Sequence, residues 1–176
     1  MLNTKLISKI FGSLLLIEAL LMSCSLGVAL YYGGSDVMPI TWSVVVLIAA
    51  GVAFRLLGLK ASNALSRRDA YFVVTTVWVL FTIFGMMPFL IGGYLHSVTD
   101  AFFETISGFT TTGATIIDYP ERLPRGLLFW RSITQWIGGL GIVFFTIAIL
   151  PSFVGGSTRV FAAEATGPIV TKLHPK

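Results

Sequence analysis

The sequence predicts an all-α integral membrane protein with four transmembrane helices, and one short re-entrant helix with a polar loop between the third and fourth. Three observations carry this. Of 176 residues, 55% are hydrophobic and only 11% charged, too few charges to coat a soluble domain of this size. Apolar runs recur at or above the roughly 20 residues that cross a hydrocarbon core of about 30 Å. Between the last two lies Phe109-Thr110-Thr111-Thr112-Gly113-Ala114-Thr115, too short to span and too polar to face lipid. Backbone that is neither helix nor closed barrel is tolerated at membrane depth only where protein buries it or it lines a watery path.

The first apolar run extends from about Leu6 to Tyr32. It is longer than the apolar region of a cleaved signal peptide, about 7–15 residues, so it reads as a spanning helix, ended by Gly33-Gly34 and the turn-forming Ser35-Asp36. The second runs from about Ile40 to Leu59, with Arg55 near its end, where the side chain can snorkel to the headgroups. A short polar loop with Lys60, Arg67 and Arg68 leads to a third span, about Ala70 to Leu95, in which Pro88 removes a backbone donor and can bend the helix. The fourth covers about Leu127 to Leu150 and stops at Pro151.

The chain accordingly divides into two leading helices (1–69), a helix–loop–helix repeat (70–151) and a tail (152–176). Lys5, Lys9, Lys60, Arg67, Arg68, Arg159, Lys172 and Lys176 collect on one side of the spans, against Arg122 and Arg125 on the other. The side richer in Lys and Arg stays in the cytoplasm. Both termini are therefore expected there, in a multi-pass protein of the inner, cytoplasmic membrane.

About thirty residues separate the third and fourth spans, too many for a tight turn and too few for two crossings. Ser97-Val98-Thr99-Asp100 has the capping-box pattern. Ala101 to Gly108, with Phe102, Phe103 and Ile106, makes a short apolar helix over about 98–108, and Asp118 to Pro124 can climb back to the outer surface. A half-helix whose C-terminal end points into the membrane presents the negative end of its dipole, about half an elementary charge, and favours a cation. An extended segment after it can offer carbonyl oxygens in place of an ion's water, as in potassium channels. Thr111, Thr112 and Gly113 are the first candidates for ion contact, Gly113 for its backbone freedom. Thr110 and Ala114 complete the set, with Thr111 and Thr112 as the metal-ion ligands for potassium. On spacing alone, an ordinary threonine-rich outer loop fits as well.

Other chemistries find little support. No His/Cys cluster has metal-ligand spacing, Cys24 has no disulfide partner and reads as a small residue packed within a helix, and no nucleophile and base pair up. His96 and His174 fall on opposite sides of the membrane. An enzyme and a bound cofactor are not expected. The net charge of +4 reflects topology, not nucleic-acid binding.

Asp100-Ala101-Phe102-Phe103-Glu104, the run Thr110 to Thr115, Phe129-Trp130-Arg131, and Gln135-Trp136-Ile137-Gly138-Gly139-Leu140-Gly141 together resemble the first pore repeat of the Trk/Ktr/HKT potassium transporter superfamily, in its TrkH/TrkG type. The likeness extends over nearly the whole chain, including two leading helices and the Ala163-Glu164 and Gly167-Pro168 stretch. It implies a potassium-channel-like fold of four helix–pore-loop–helix repeats about one pore, usually dimeric, with Gly113 as the filter glycine and the carbonyls before it as potassium ligands. It also implies potassium uptake and a cytoplasmic nucleotide-binding partner of the TrkA type. One repeat cannot surround an ion. The expectation is therefore a truncated or split piece supplying one of four filter loops, or an assembly of copies; the alternative is a non-conducting assembly subunit or a degenerate remnant.

Glu104 and Arg131 could pair behind the filter and brace it, or each contact backbone and water separately. Glu18, near the middle of the first span, is expected to pair with a neighbouring helix or meet local water, in preference to a transport role, since an unpaired acid there is expensive. Gly138-Gly139-Leu140-Gly141 allows close helix packing or a hinge, and Trp42, Trp130 and Trp136 suit anchoring at the membrane interface.

Overall fold

The computed structural model describes residues 2–59 and 66–141. Its helices are α1 (Thr4–Tyr32), α2 (Val37–Leu57), α3 (Arg67–Gly85), α4 (Met87–Ile91) and α5 (Val98–Phe109), followed by a 3-10 turn at Pro120–Arg122. A further helix, α6, begins at 125 and is described to 141. Residues 1–140 form one compact unit. The end of the expected fourth span at Pro151, the 152–176 tail, Lys60 and His174 lie outside the described residues. Among the described residues, three segments are long and apolar enough to cross a membrane: Thr4–Tyr32 with 29 residues, Val37–Leu57 with 21 and Arg68–Ile91 with 24.

α1 and α2 form a close antiparallel hairpin. At its foot, the Asn3 side chain accepts from the Leu6 amide at 3.2 Å and caps α1. At its top, Gly33 takes φ 62°, a left-handed conformation that only glycine adopts cheaply, and reverses the chain. The two helices touch at Gly12 and Gly51: a β-carbon on Gly12 would stand 2.6 Å from the Gly51 carbonyl oxygen and 2.6 Å from Arg55 Cγ. Missing side chains let the backbones approach. Ser8 then donates to the Phe54 carbonyl at 2.8 Å.

The third span begins earlier than apolar patterning predicts. Ser66 and Asp69 form a capping box, Asp69 N donating to Ser66 Oγ at 3.1 Å and Ser66 N to Asp69 Oδ2 at 3.1 Å, so Arg67 is already helical. Asp69 Oδ1 also accepts from the Asn3 amide at 3.2 Å, tying the starts of α1 and α3 together. The span is not one continuous helix. Pro88 has no amide hydrogen, α3 ends at Gly85, and α4 restarts at Met87. The amide of Phe89 turns to the Met86 carbonyl at 3.1 Å, and the Gly85 carbonyl accepts instead from Trp130 Nε1 at 2.8 Å. This overturns the interfacial reading of Trp130, which is fully buried; Trp42 and Trp136 are exposed. Cys24 is exposed on α1 and not packed within the chain.

The loop between α1 and α2 clasps the later helices. Asp36, fully buried, accepts from the Leu127 amide at 2.9 Å, and Ser35 shares a hydrogen bond with the Tyr94 hydroxyl at 2.8 Å. A carboxylate facing free amides in the first turn of α6 satisfies donors the helix cannot and meets the positive end of its dipole. Asp36→Ala is expected to lower stability by about 1–2 kcal/mol, the loss of a good N-cap, in equilibrium unfolding of the micelle-embedded chain, and Asp36→Asn, which keeps an acceptor, by less.

Candidate functional site

α5 starts at Ser97, whose hydroxyl accepts from the Asp100 amide at 3.4 Å. This is the first half of the predicted capping box; among the described residues the return bond from Asp100 is absent. The helix buries Ala101, Glu104, Thr105, Gly108 and Phe109 and ends one residue later than expected. Phe109 is its anchor: the ring is wholly buried, 5.6 Å from Phe81 and 6.4 Å from Trp130 by centroids, the latter edge-on.

Beyond Phe109 the backbone folds tightly over the helix end. The Thr110 amide bonds to the Ile106 carbonyl at 2.8 Å, Thr111 to Gly108 at 3.0 Å, and Thr112 and Gly113 both to Ser107 at 3.0 and 3.3 Å. Thr111 and Gly113 have φ of 57° and 72°. For threonine this left-handed conformation is strained, and such strain persists where the surroundings hold it. The result is three successive carbonyls, of Thr111, Thr112 and Gly113, that accept no hydrogen bond among the described residues and belong to exposed residues. The Thr110 hydroxyl donates to the Ile106 carbonyl at 2.8 Å, so the 2.9 Å contact with the Thr112 hydroxyl uses the proton of Thr112. The Ala114 carbonyl is not free: Ser107 Oγ donates to it at 2.7 Å. The Thr110 carbonyl is likewise taken, by the Thr111 hydroxyl at 2.7 Å.

Behind the loop sits a charged hub. Arg131, on α6, places Nε 2.8 Å and Nη2 2.7 Å from Glu104 Oε1. Glu104 Oε2 accepts from the Thr115 hydroxyl at 2.9 Å and the Ile116 amide at 3.0 Å. One carboxylate thus joins α5, the loop's far end and α6, and with four donors its burial at 5% exposure is compensated. Of the two readings of this pair from sequence, the structure has the direct one. Residues not singled out complete the seat: Ser107, whose tether to Ala114 spans seven residues, and Thr134, packed on Gly108.

Of the glycine run, Gly138 meets the Phe109 carbonyl, so at this position packing decides, whereas Gly139 faces open space. A cavity of about 10 Å³ between Glu104, Thr105, Ala114, Arg131 and Gln135 has room for one water at most. Side chains, not solvent, back the loop.

A family model for TrkH, described as a cation transport protein, matches residues 37–174. The chain belongs to the TrkH family. The Trk system potassium uptake protein TrkH of Vibrio parahaemolyticus (serotype O3:K6, strain RIMD 2210633) is 37% identical over 172 residues, 97% of this chain and 36% of its own length. The Trk system potassium uptake protein TrkG of Escherichia coli (strain K12) is 31% identical over 176 residues, 99% of this chain and again 36% of its own. The crystal structure of the potassium transporter TrkH from Vibrio parahaemolyticus superposes with a TM-score of 0.78 at 37% identity, covering 84% of this chain and 32% of that one. The chain therefore spans about a third of the length of the TrkH relatives it matches. TrkH membership and the three long apolar helices agree on a protein embedded in a membrane.

Proposed function

We propose that this chain forms the first helix–pore-loop–helix repeat of a potassium-uptake transporter, with α5 re-entrant, α6 the start of a fourth crossing, and Thr110–Ala114 one of four filter segments. The observation that carries the reading is the row of free carbonyls at Thr111, Thr112 and Gly113, set at the C-terminal, negative end of α5. Carbonyls without a partner among the described residues replace an ion's hydration without first breaking a bond within the protein. Glu104, Arg131 and Ser107 hold them there. Thr111 and Thr112 supply the potassium contacts, while the occupied Ala114 carbonyl makes that residue a tether.

Uptake is driven by the membrane potential, about 2.3 kcal/mol per charge per 100 mV. The pore is completed by further repeats or other copies, the assembly is dimeric, and a nucleotide-binding regulatory subunit meets it in the cytoplasm, where both termini lie. The domain limits 1–69, 70–151 and 152–176 go with this topology.

The test is rubidium uptake in cells lacking their own potassium uptake systems, by the chain alone and by a chimera in which it replaces the matching third of a curated relative. Gly113→Asp introduces a side chain at a left-handed position and a charge beside the carbonyls. The chimera is expected to lose uptake with this substitution while still reaching the membrane. Uptake undiminished by Gly113→Asp would refute the assignment of the loop.

A further inference from the structure

The buried polar side chains of this unit are of two kinds. Glu18, expected from sequence to pair with a neighbouring helix or meet local water, has no hydrogen-bond partner among the described residues, and the same holds for Ser25 and Thr105. Ser107, only 4% exposed on α5, is bonded through both its side chain and its backbone. Its carbonyl accepts from the Thr112 amide at 3.0 Å and the Gly113 amide at 3.3 Å, and its hydroxyl donates to the Ala114 carbonyl at 2.7 Å. Among the described residues, the backbone of Thr112, Gly113 and Ala114 bonds to Ser107 and to nothing else. One helical residue thus grips three consecutive residues of the loop.

A hydroxyl inside a helix ordinarily turns back on its own turn. Ser13, Ser23, Thr41, Ser43 and Thr82 all do so, each donating to the carbonyl four residues before it. Ser107 instead reaches seven residues forward, past the end of α5, to the far end of the loop. The carbonyls of Thr111, Thr112 and Gly113 therefore lie on a segment fixed to α5 at both ends, by the helix itself and by the bond to Ala114. Such a segment resists being drawn inward. Sodium is smaller than potassium, and carbonyls hold it well only by closing in further, which here requires the backbone to distort or the tether to break. Cavity size is one of the two accounts of selectivity in carbonyl filters, and the tether acts through it.

We propose that Ser107 is a positioning residue for ion selectivity: by fixing the Ala114 carbonyl to α5, its hydroxyl keeps the Thr111, Thr112 and Gly113 carbonyls spaced for potassium and rubidium and against sodium. This rests on the reading of Thr110–Ala114 as a filter segment. Glu104 plays a different part, since it holds Thr115 and Ile116, beyond the carbonyls, and joins them to α6.

The experiment compares initial uptake of radiolabelled rubidium and radiolabelled sodium by the chimera and by its Ser107→Ala, Ser107→Cys and Gly113→Asp variants, each normalised to the protein present in the membrane. Ser107→Ala removes the hydroxyl and leaves both amide bonds to the carbonyl of residue 107 in place, and alanine suits a helix. It is expected to raise the sodium-to-rubidium uptake ratio about fivefold, the scale set by one hydrogen bond. Ser107→Cys, whose thiol is a weak donor, is expected to fall between this and the parent, and it carries the comparison where the alanine variant folds poorly. A merely structural role would lower both uptakes together. A ratio unchanged in both variants, a ratio shifted toward rubidium, or parallel loss of both ions would overturn the proposal. Rubidium uptake undiminished by Gly113→Asp would sink the filter reading and this proposal with it; uptake lost in Gly113→Asp, with the parent ratio kept in Ser107→Ala, would sink the role of Ser107 alone.

Discussion

Gly138→Ala is expected to unseat the Phe109–Gly113 backbone and reduce rubidium uptake by the chimera more than tenfold. A β-carbon at Gly138 would overlap the Phe109 carbonyl oxygen and stand 2.8 Å from its carbon and 3.1 Å from Thr111 Cγ2. The first two are backbone atoms at the end of α5 and cannot swing aside as the tip of a side chain does. Relief requires α6 to retreat or the loop to rise, and the loop is held by the amide bonds of Thr110 to Gly113 and by the Ser107 tether. Overpacking of this kind costs about 1–3 kcal/mol. Alanine is also a better helix former than glycine by up to about 1 kcal/mol, so a net loss isolates the contact. Gly139→Ala, next in sequence and facing open space, is the control and should transport like the parent. Equal uptake by the two variants would show that α6 does not seat the loop in this way.

Glu104→Ala should be the most destabilising single change at the hub, by about 3–5 kcal/mol, the range for removing one partner of a buried pair. It leaves the Arg131 guanidinium, the Thr115 hydroxyl and the Ile116 amide without their acceptor. Glu104→Gln keeps an acceptor oxygen and loses the ion pair, so its effect should be smaller. Removing both partners, Glu104→Ala with Arg131→Ala, is expected to cost less than the two single changes added, because the second removal strands no charge. Equilibrium unfolding of the four proteins in micelles measures this directly. Additivity within about 0.5 kcal/mol, as for independent sites, would mean that the pair does not act as a unit.

What could be read from sequence follows the range of the interaction. α1, α2 and α5 are set by local signals: long apolar runs, the glycine turn after Tyr32, and the hydroxyl at Ser97 that opens a short helix. The threonine run stood out because a polar segment between two apolar spans needs a reason. The start of α3 was missed by three residues because charged Arg67 and Arg68 hide a helix that Ser66 and Asp69 cap. Trp130 lies only five residues after the start of α6, where tryptophans commonly sit at the interface. Its burial depends on a carbonyl freed forty-five residues earlier, by the break before Pro88. Gly138 could be recognised as a packing glycine, but its partner, a backbone oxygen at the end of α5, leaves no mark on side-chain patterning. Glu18 could be flagged as costly from its place in an apolar run, but nothing local says whether a partner waits on another helix.

The bond between Asp36 and the Leu127 amide bears on how the chain is made. The two lie 91 residues apart, an interval of roughly 5 to 20 seconds at ribosomal rates of about 5–20 residues per second. From the completion of α2 at Leu57 until Leu127 is made, the Asp36 carboxylate has no helix end to meet, and water is its best available surroundings. The leading hairpin therefore waits, undocked at its Asp36 end, until the Leu127 amide is delivered. Asp36 thereby sets an order of assembly for the nascent protein, in which α1 and α2 are locked at this end only after α6 has begun to form.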